Sequence, residues 1–194
     1  MMKFLAAVSL PLYALDQVTK WWIVRHIVLS HNWPPLFPDE HVAVIPGWFH
    51  FVYWANTGAA FSILRDNNLF FIVLSTVTLV GLLIASARGA FKDVWSRWGI
   101  GLLTAGILGN VTDRLVHHHV VDFLLVDLHV RFADPWPAFN VADSCICIGV
   151  VIMAVYLLLN DQETQPRPAP RDDSLLNSLL TQESWQPEER REPK

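Results

Sequence analysis

The sequence predicts a membrane α-helical protein: a four-transmembrane-helix bundle. Three observations lead there. Residues 69–87 (LFFIVLSTVTLVGLLIASA) run without one charge, enough helix to cross about 30 Å of hydrocarbon. Charged residues make up only 16% of the chain and hydrophobic ones 53%, against about 25% charged in a soluble domain. The remaining polar residues fall in tight clusters beside or inside other apolar runs.

The first span, residues 4–28, opens like a secretory leader, with Lys3 followed by FLAAVSLPLYAL. Apolar character resumes after Asp16, Gln17 and Lys20 as WWIV, and no small-x-small site closes the run, so the span is expected to be retained. Residues 29–68 form a loop rich in Pro, Trp and His. Within it, residues 48–54 (WFHFVYW) have the aromatic and β-branched content of a strand, bounded by Gly47 and Asn56-Thr57-Gly58. Residues 69–87 are the second span, 88–97 a short connection, 98–116 the third span, 117–138 a second loop and 139–159 the fourth span. Residues 1–160 then make a membrane-embedded domain. Residues 161–194, with five prolines and mixed charge, read as a mostly disordered tail. Inside that tail Asp173-Ser174 precede Leu175, Leu176, Leu179 and Leu180, the pattern of a short capped helix with one apolar side.

Orientation follows from the basic residues. The 88–97 connection carries Arg88, Lys92 and Arg97, whereas Arg65 is alone in 29–68 and Arg131 alone in 117–138. The positive-inside rule puts the connection and both termini in the cytoplasm and the two loops outside. Trp21, Trp22, Trp48, Trp54 and Trp136 then form an outer aromatic belt, with Trp95 and Trp98 at the inner interface.

The net charge of −4 is dominated by the tail, and no basic patch suits nucleic acid. Cys145 and Cys147 stand two apart in an apolar run, on roughly opposite sides of a helix, a poor geometry for a disulfide.

Ionisable groups at membrane depth are expensive unless paired or hydrated, so each is a functional candidate. Asp16 and Lys20 are spaced i, i+4 and share a helix face, the arrangement of a structural ion pair. Asn110, Asp113 and Arg114 form one patch about a turn from the outer end of the third span. Asp122 follows in the apolar setting VVDF, and Asn140 and Asp143 open the fourth span. Asp143 lies about 6 Å below its outer end at 1.5 Å per residue, with Asp113 and Asp122 at a similar depth on the other side.

Two carboxylates in an apolar, partly wet pocket cannot both ionise easily, so their pKa values split. One then acts as base toward water while the other, protonated, polarises a carbonyl, with no metal or cofactor. A purely structural role and a proton or ion pathway fit the same spacing. His117, His118, His119 and His129 invite a metal, but they lack the helical spacing of His ligands.

Five segments in order resemble bacterial lipoprotein signal peptidase (signal peptidase II): DQVTK at 16–20, NTGAAFS at 56–62, GNVTDR at 109–114, VVDF at 120–123 and PAFNVADS at 137–144. The resemblance covers roughly residues 3–160. It implies a catalytic dyad of Asp122 and Asp143, with Asn56, Gly58, Asn110, Arg114 and Asn140 lining the site and orienting the substrate. Asp16, Lys20 and Asp113 are left as structural polar residues. It further implies a small extracytoplasmic β-cradle between spans 1 and 2 and a location in the bacterial inner membrane with the site near the outer face. The implied substrate is a diacylglyceryl-modified prolipoprotein, cut on the amino side of the lipidated cysteine. Membrane lipids are the other expected partner, and neither cofactor nor nucleic acid is expected. The chain departs from the family pattern in having Ala105-Gly106 where paired glycines are usual, and in the length of its tail.

Overall fold

The uncharged run at residues 69–87 folds within a single helix in a computed structural model that describes residues 2–32, 34–58, 64–130 and 135–160. The helices are α1 (Met2–His26), α2 (Asn68–Ala87), α3 (Val94–Val116) and α4 (Val141–Asn160). The strands are β1 (His41–Ile45), β2 (Phe49–Asn56), β3 (Val120–Val126) and β4 (Trp136–Phe139). Residues 59–62 of the second motif, Arg131 and the helix expected at 175–180 lie outside the described residues.

Two helices, Asn68–Ala87 and Val141–Leu159, are long and apolar enough to cross a membrane. α2 buries only Phe71 and Ser86 and exposes Phe70, Val73, Leu74, Val77 and Val80. α4 likewise exposes Ile148, Val151, Val155 and Leu158. Such surfaces are costly in water and cost nothing in hydrocarbon. α1 and α3 are of spanning length too, but they bury Asp16 and Lys20 on one, and Asn110, Asp113 and Arg114 on the other.

α3 begins earlier than expected. The Asp93 carboxylate accepts the Ser96 N–H at 2.8 Å, an N-cap that satisfies a free amide of the first turn. The connection therefore shortens to residues 88–93, and Arg97 joins the helix. α3 packs against α1, α2 and α4, and small residues let its neighbours approach. A Cβ on Gly106 would lie 2.6 Å from Ile146 Cγ1 of α4. Neighbouring Ala105 is fully buried, so the methyl that departs from the family pattern is packed rather than displaced. On the other side of α3, Ser9 Oγ of α1 donates to the Gly101 carbonyl at 2.9 Å.

The four strands form one antiparallel sheet in the order β1-β2-β3-β4. The cradle expected between spans 1 and 2 is thus only half of the sheet. Its other half comes from residues 117–138, expected as loop. The strand read at 48–54 is shifted to Phe49–Asn56 and gains a hairpin partner, β1, through a turn at Gly47 (φ 74°). Alternation explains what β3 does. Val121 and Phe123 join Ile23 and Ile27 in an apolar cluster that ties the sheet to the end of α1, and side chains of a strand alternate between faces, so Asp122 points the other way. A register shift between Phe51 and Trp54 sets Trp54 opposite Asp122, and such bulges re-aim the side chains beside them.

Candidate active site

β4 ends at Phe139 and α4 starts at Val141, so Asn140 is the hinge between strand and helix. Its Oδ1 accepts the Asp143 N–H at 2.8 Å, and Asp143 Oδ2 accepts the Asn140 N–H at 3.2 Å. This is a reciprocal capping box with aspartate in its acidic position. It fixes the Asp143 carboxylate in the first turn of α4, where the helix dipole favours negative charge.

Asp122 on β3 is 1% exposed. Its Oδ1 accepts from Asn140 Nδ2 at 2.8 Å and its Oδ2 from Asn56 Nδ2 at 2.9 Å. Burial pushes its carboxyl well above the usual carboxylate range, and the neighbouring Asp143 charge pushes the same way. The hydrogen bonds from Asn56 and Asn140 and the charge of Lys20 pull against them.

Asn56 is itself held in an Asx turn, its Oδ1 accepting the Gly58 N–H at 3.0 Å. The Gly58 carbonyl accepts from Arg114 Nη2 at 2.8 Å. The Arg114 guanidinium also lies 5.0 Å from the centre of the Phe71 ring, and its buried Nε has no partner among the described residues. Asn110 donates through Nδ2 to Asp143 Oδ1 at 2.8 Å.

Behind this layer sits an ion cluster. Lys20 Nζ lies 2.9 Å from Asp16 Oδ2, 2.8 Å from Asp113 Oδ2 and 3.2 Å from Asn110 Oδ1. Asp113 also accepts the Val121 N–H at 3.0 Å, and Asp16 Oδ1 accepts the Ala142 N–H at 2.8 Å. The cluster therefore anchors the residue before Asp122 and the residue before Asp143.

Asp122, Asp143, Asn56, Gly58, Asn110 and Arg114 line one cavity of about 1110 Å³. Its apolar wall is built from Phe71 of α2, Ile107 of α3 and Ile146, Cys147 and Ile148 of α4. The arrangement sets two carboxylates and a guanidinium beside the apolar wall of one groove.

A family model described as signal peptidase (SPase) II matches residues 8–159. The chain belongs to the signal peptidase II family. It is 32% identical over 163 residues to the lipoprotein signal peptidase of Bacillus pumilus, covering 84% of this chain and 97% of that one. It is 33% identical over 162 residues to that of Listeria welshimeri, covering 81% and 95%. Two solved bacterial membrane enzyme structures are similar in fold. One has a TM-score of 0.73 at 26% identity, covering 88% of this chain and 96% of that one. The other has 0.68 at 28%, covering 81% and 94%. As a signal peptidase II the chain is a membrane peptidase.

In this signal peptidase II, the residues singled out from sequence fall into two connected groups. Asn140 lies beneath the cavity rather than on its wall. Asp113, expected level with the other two carboxylates, turns to Lys20 and away from the cavity. The pairing of Asp16 with Lys20 is present, but as part of a triad. His119 Nε2 meets the Tyr53 hydroxyl at 3.3 Å, and burial holds its imidazole below the ordinary value. His129 belongs elsewhere, lining a second cavity of about 340 Å³ with His41, His50 and Asp127. Among the described residues no three His, Cys, Asp or Glu side chains are grouped to hold a metal.

Sequence reasoning missed two contributors. Gln17 Nε2 donates to Asp16 Oδ2 at 3.1 Å and to Asp113 Oδ1 at 3.2 Å. The signal was its place in the DQVTK segment, on the face turned to α3. Phe71 under Arg114 left no signal, because one more phenylalanine in an apolar run is indistinguishable from its neighbours.

Proposed function

We propose that this signal peptidase II is an aspartyl endopeptidase that removes the signal peptide from diacylglyceryl-modified prolipoproteins, cutting on the amino side of the lipidated cysteine. The observation that carries this is the sharing of one cavity by Asp122 and Asp143, with Asn140 bonded to both. One carboxylate, ionised, takes a proton from a water molecule whose oxygen attacks the scissile carbonyl carbon. The other, protonated, donates to the carbonyl oxygen, and the proton taken from water passes to the leaving amide nitrogen as the C–N bond breaks. The two titrate as a pair. Such a pair needs no Lewis acid, so neither metal nor cofactor is part of the proposal.

Asn56, Gly58, Asn110, Arg114 and Asn140 serve as binding and positioning residues. Arg114, whose Nε has no partner among the described residues, offers hydrogen bonds to substrate carbonyls. The apolar groove suits the signal peptide and acyl chains. All four helices span the bacterial inner membrane in this proposal, with both termini cytoplasmic and the carboxylates near the outer face, where a lipidated cysteine is held at headgroup level. Residues 1–160 are the peptidase and 161–194 a cytoplasmic tail.

The test is cleavage of a purified lipidated precursor, followed by release of the signal peptide, against the same precursor without lipid. Asp122→Asn and Asp143→Asn should each nearly abolish cleavage while the protein still inserts and melts no lower than wild type. Substantial turnover by either variant sinks the dyad.

A further inference from the structure

We infer that Lys20 is a positioning residue for Asp143, acting through the carboxamide of Asn110; this rests on the Asp122–Asp143 pair proposed above. A carboxamide has an accepting end and a donating end, and which end faces which neighbour depends on the bonds available. Lys20 has only donors to offer. Its ammonium lies 3.2 Å from Asn110, so the end of Asn110 that faces it is the oxygen. That choice turns Nδ2 toward Asp143 Oδ1, where it donates at 2.8 Å. Reversed, the amide would set its oxygen against a carboxylate and its NH2 against an ammonium, two repulsions in place of two attractions.

The three carboxamides of the site share this logic, with one difference. The oxygen of Asn56 is pinned by the backbone N–H of Gly58, and that of Asn140 by the backbone N–H of Asp143. Asn110 is oriented by a side chain. The other donor to its oxygen among the described residues is Asn140 Nδ2 at 3.4 Å, an amide already engaged with Asp122 at 2.8 Å. Lys20 is itself immobilised: its side chain is 3% exposed and clamped between Asp16 and Asp113. The triad is more than a brace between α1 and α3. It sets the polarity of the hydrogen bond that Asp143 receives.

The test is a double-mutant cycle on turnover per folded molecule, using a lipidated precursor and protein quantified by its thermal transition in detergent. Lys20→Met should lower kcat about tenfold or more with KM little changed, because a misplaced reacting group costs rate rather than affinity. In an Asn110→Ala background the same substitution should change kcat less than about twofold, since the intermediary is gone. If Lys20→Met does not accumulate folded, the combination Asp16→Asn, Lys20→Met and Asp113→Asn leaves no orphaned charge and takes its place in the cycle. A brace alone lowers the amount of folded protein and leaves kcat per folded molecule unchanged. Wild-type kcat in either variant, losses that multiply across the cycle, or no folded protein from either overturns the inference. Asp143→Asn run alongside separates the two failures: an active Asp143→Asn removes the dyad, whereas an inactive one with a neutral Lys20 result removes only the positioning role.

Discussion

The carboxylate of Asp16, near the middle of α1, accepts a hydrogen bond from the backbone N–H of Ala142 in the first turn of α4, at 2.8 Å. Its other oxygen faces Lys20 at 2.9 Å. One side chain therefore neutralises a buried cation and satisfies a free helix-terminal amide 126 residues away. The start of α4, and with it the place of Asp143, is held from α1.

Replacing Asp16 with Ala should accordingly cost about 3 kcal/mol, the lower end of what orphaning one member of a buried ion pair costs, because Lys20 keeps Asp113. Thermal unfolding in detergent should fall clearly, and turnover should fall further than the folded fraction, since the α4 amide is freed beside Asp143. An unchanged melting temperature would mean that Lys20 and Ala142 do not need this carboxylate.

The helices were readable because each rests on a local signal: a long apolar run in α2 and α4, and polar residues at helical spacing in α1 and α3. The strands were mostly not. β3 reads VVDFLLV, nearly continuous in hydrophobicity with a carboxylate in it, and β4 is four residues with Pro137 inside. β3 pairs with β2, more than sixty residues earlier in the chain, and β4 pairs in turn with β3, a dependence that no local pattern encodes. In the site, Asp122 and Asp143 stood out as charges in apolar settings. The separation of Asp113 from them is a rotation about α3, invisible in i, i+3, i+4 spacing because Asn110 faces both Lys20 and Asp143.

Asp122 gives a pH signature. Its folded carboxyl is held above the usual value by burial and by Asp143, so the protonated form is favoured in the fold. Below about pH 4, where the unfolded carboxyl is also protonated, Asp122 imposes no penalty. As pH rises toward the folded value the unfolded state loses its proton first, and stability is lost. Asp122→Asn cannot ionise. Its melting temperature should match wild type near pH 4 and exceed it increasingly toward neutrality. A difference that shrinks with rising pH would contradict the sign of this shift.

Cys147 lies on the groove wall one helical turn beyond Asp143, exposed, while Cys145 is buried. A bulky maleimide should label Cys147 alone and remove most of the turnover by filling the groove. Cys147→Ser should cleave normally and resist the reagent. Mass spectrometry of the labelled peptide with activity measured in parallel checks both. Full activity after complete labelling would place the substrate elsewhere.

Gly109 of α3 faces both α1 and α4 at close range. A Cβ there would sit 2.5 Å from Asp16 Oδ2 and 2.9 Å from Ala142 Cβ. Asp16 has nowhere to retreat, being held by the Ala142 amide, by Lys20 and by Gln17. Gly→Ala inside a helix normally gains about 1 kcal/mol, but overpacking of this kind costs about 1–3 kcal/mol, and here it also strains a buried ion pair. Gly109→Ala should therefore lower the melting temperature and, by pushing Ala142, reduce turnover per folded molecule. The contrast is Ala105→Gly, which restores the glycine usual in the family. It removes a buried methyl and loosens the helix, a cost of about 1 kcal/mol, with no group near Asp143 displaced, so turnover per folded molecule should stay at wild type. If Gly109→Ala instead melts at or above wild type with normal turnover, α1 and α4 have room to part, and the Asp16–Ala142 bond does not set the position of Asp143.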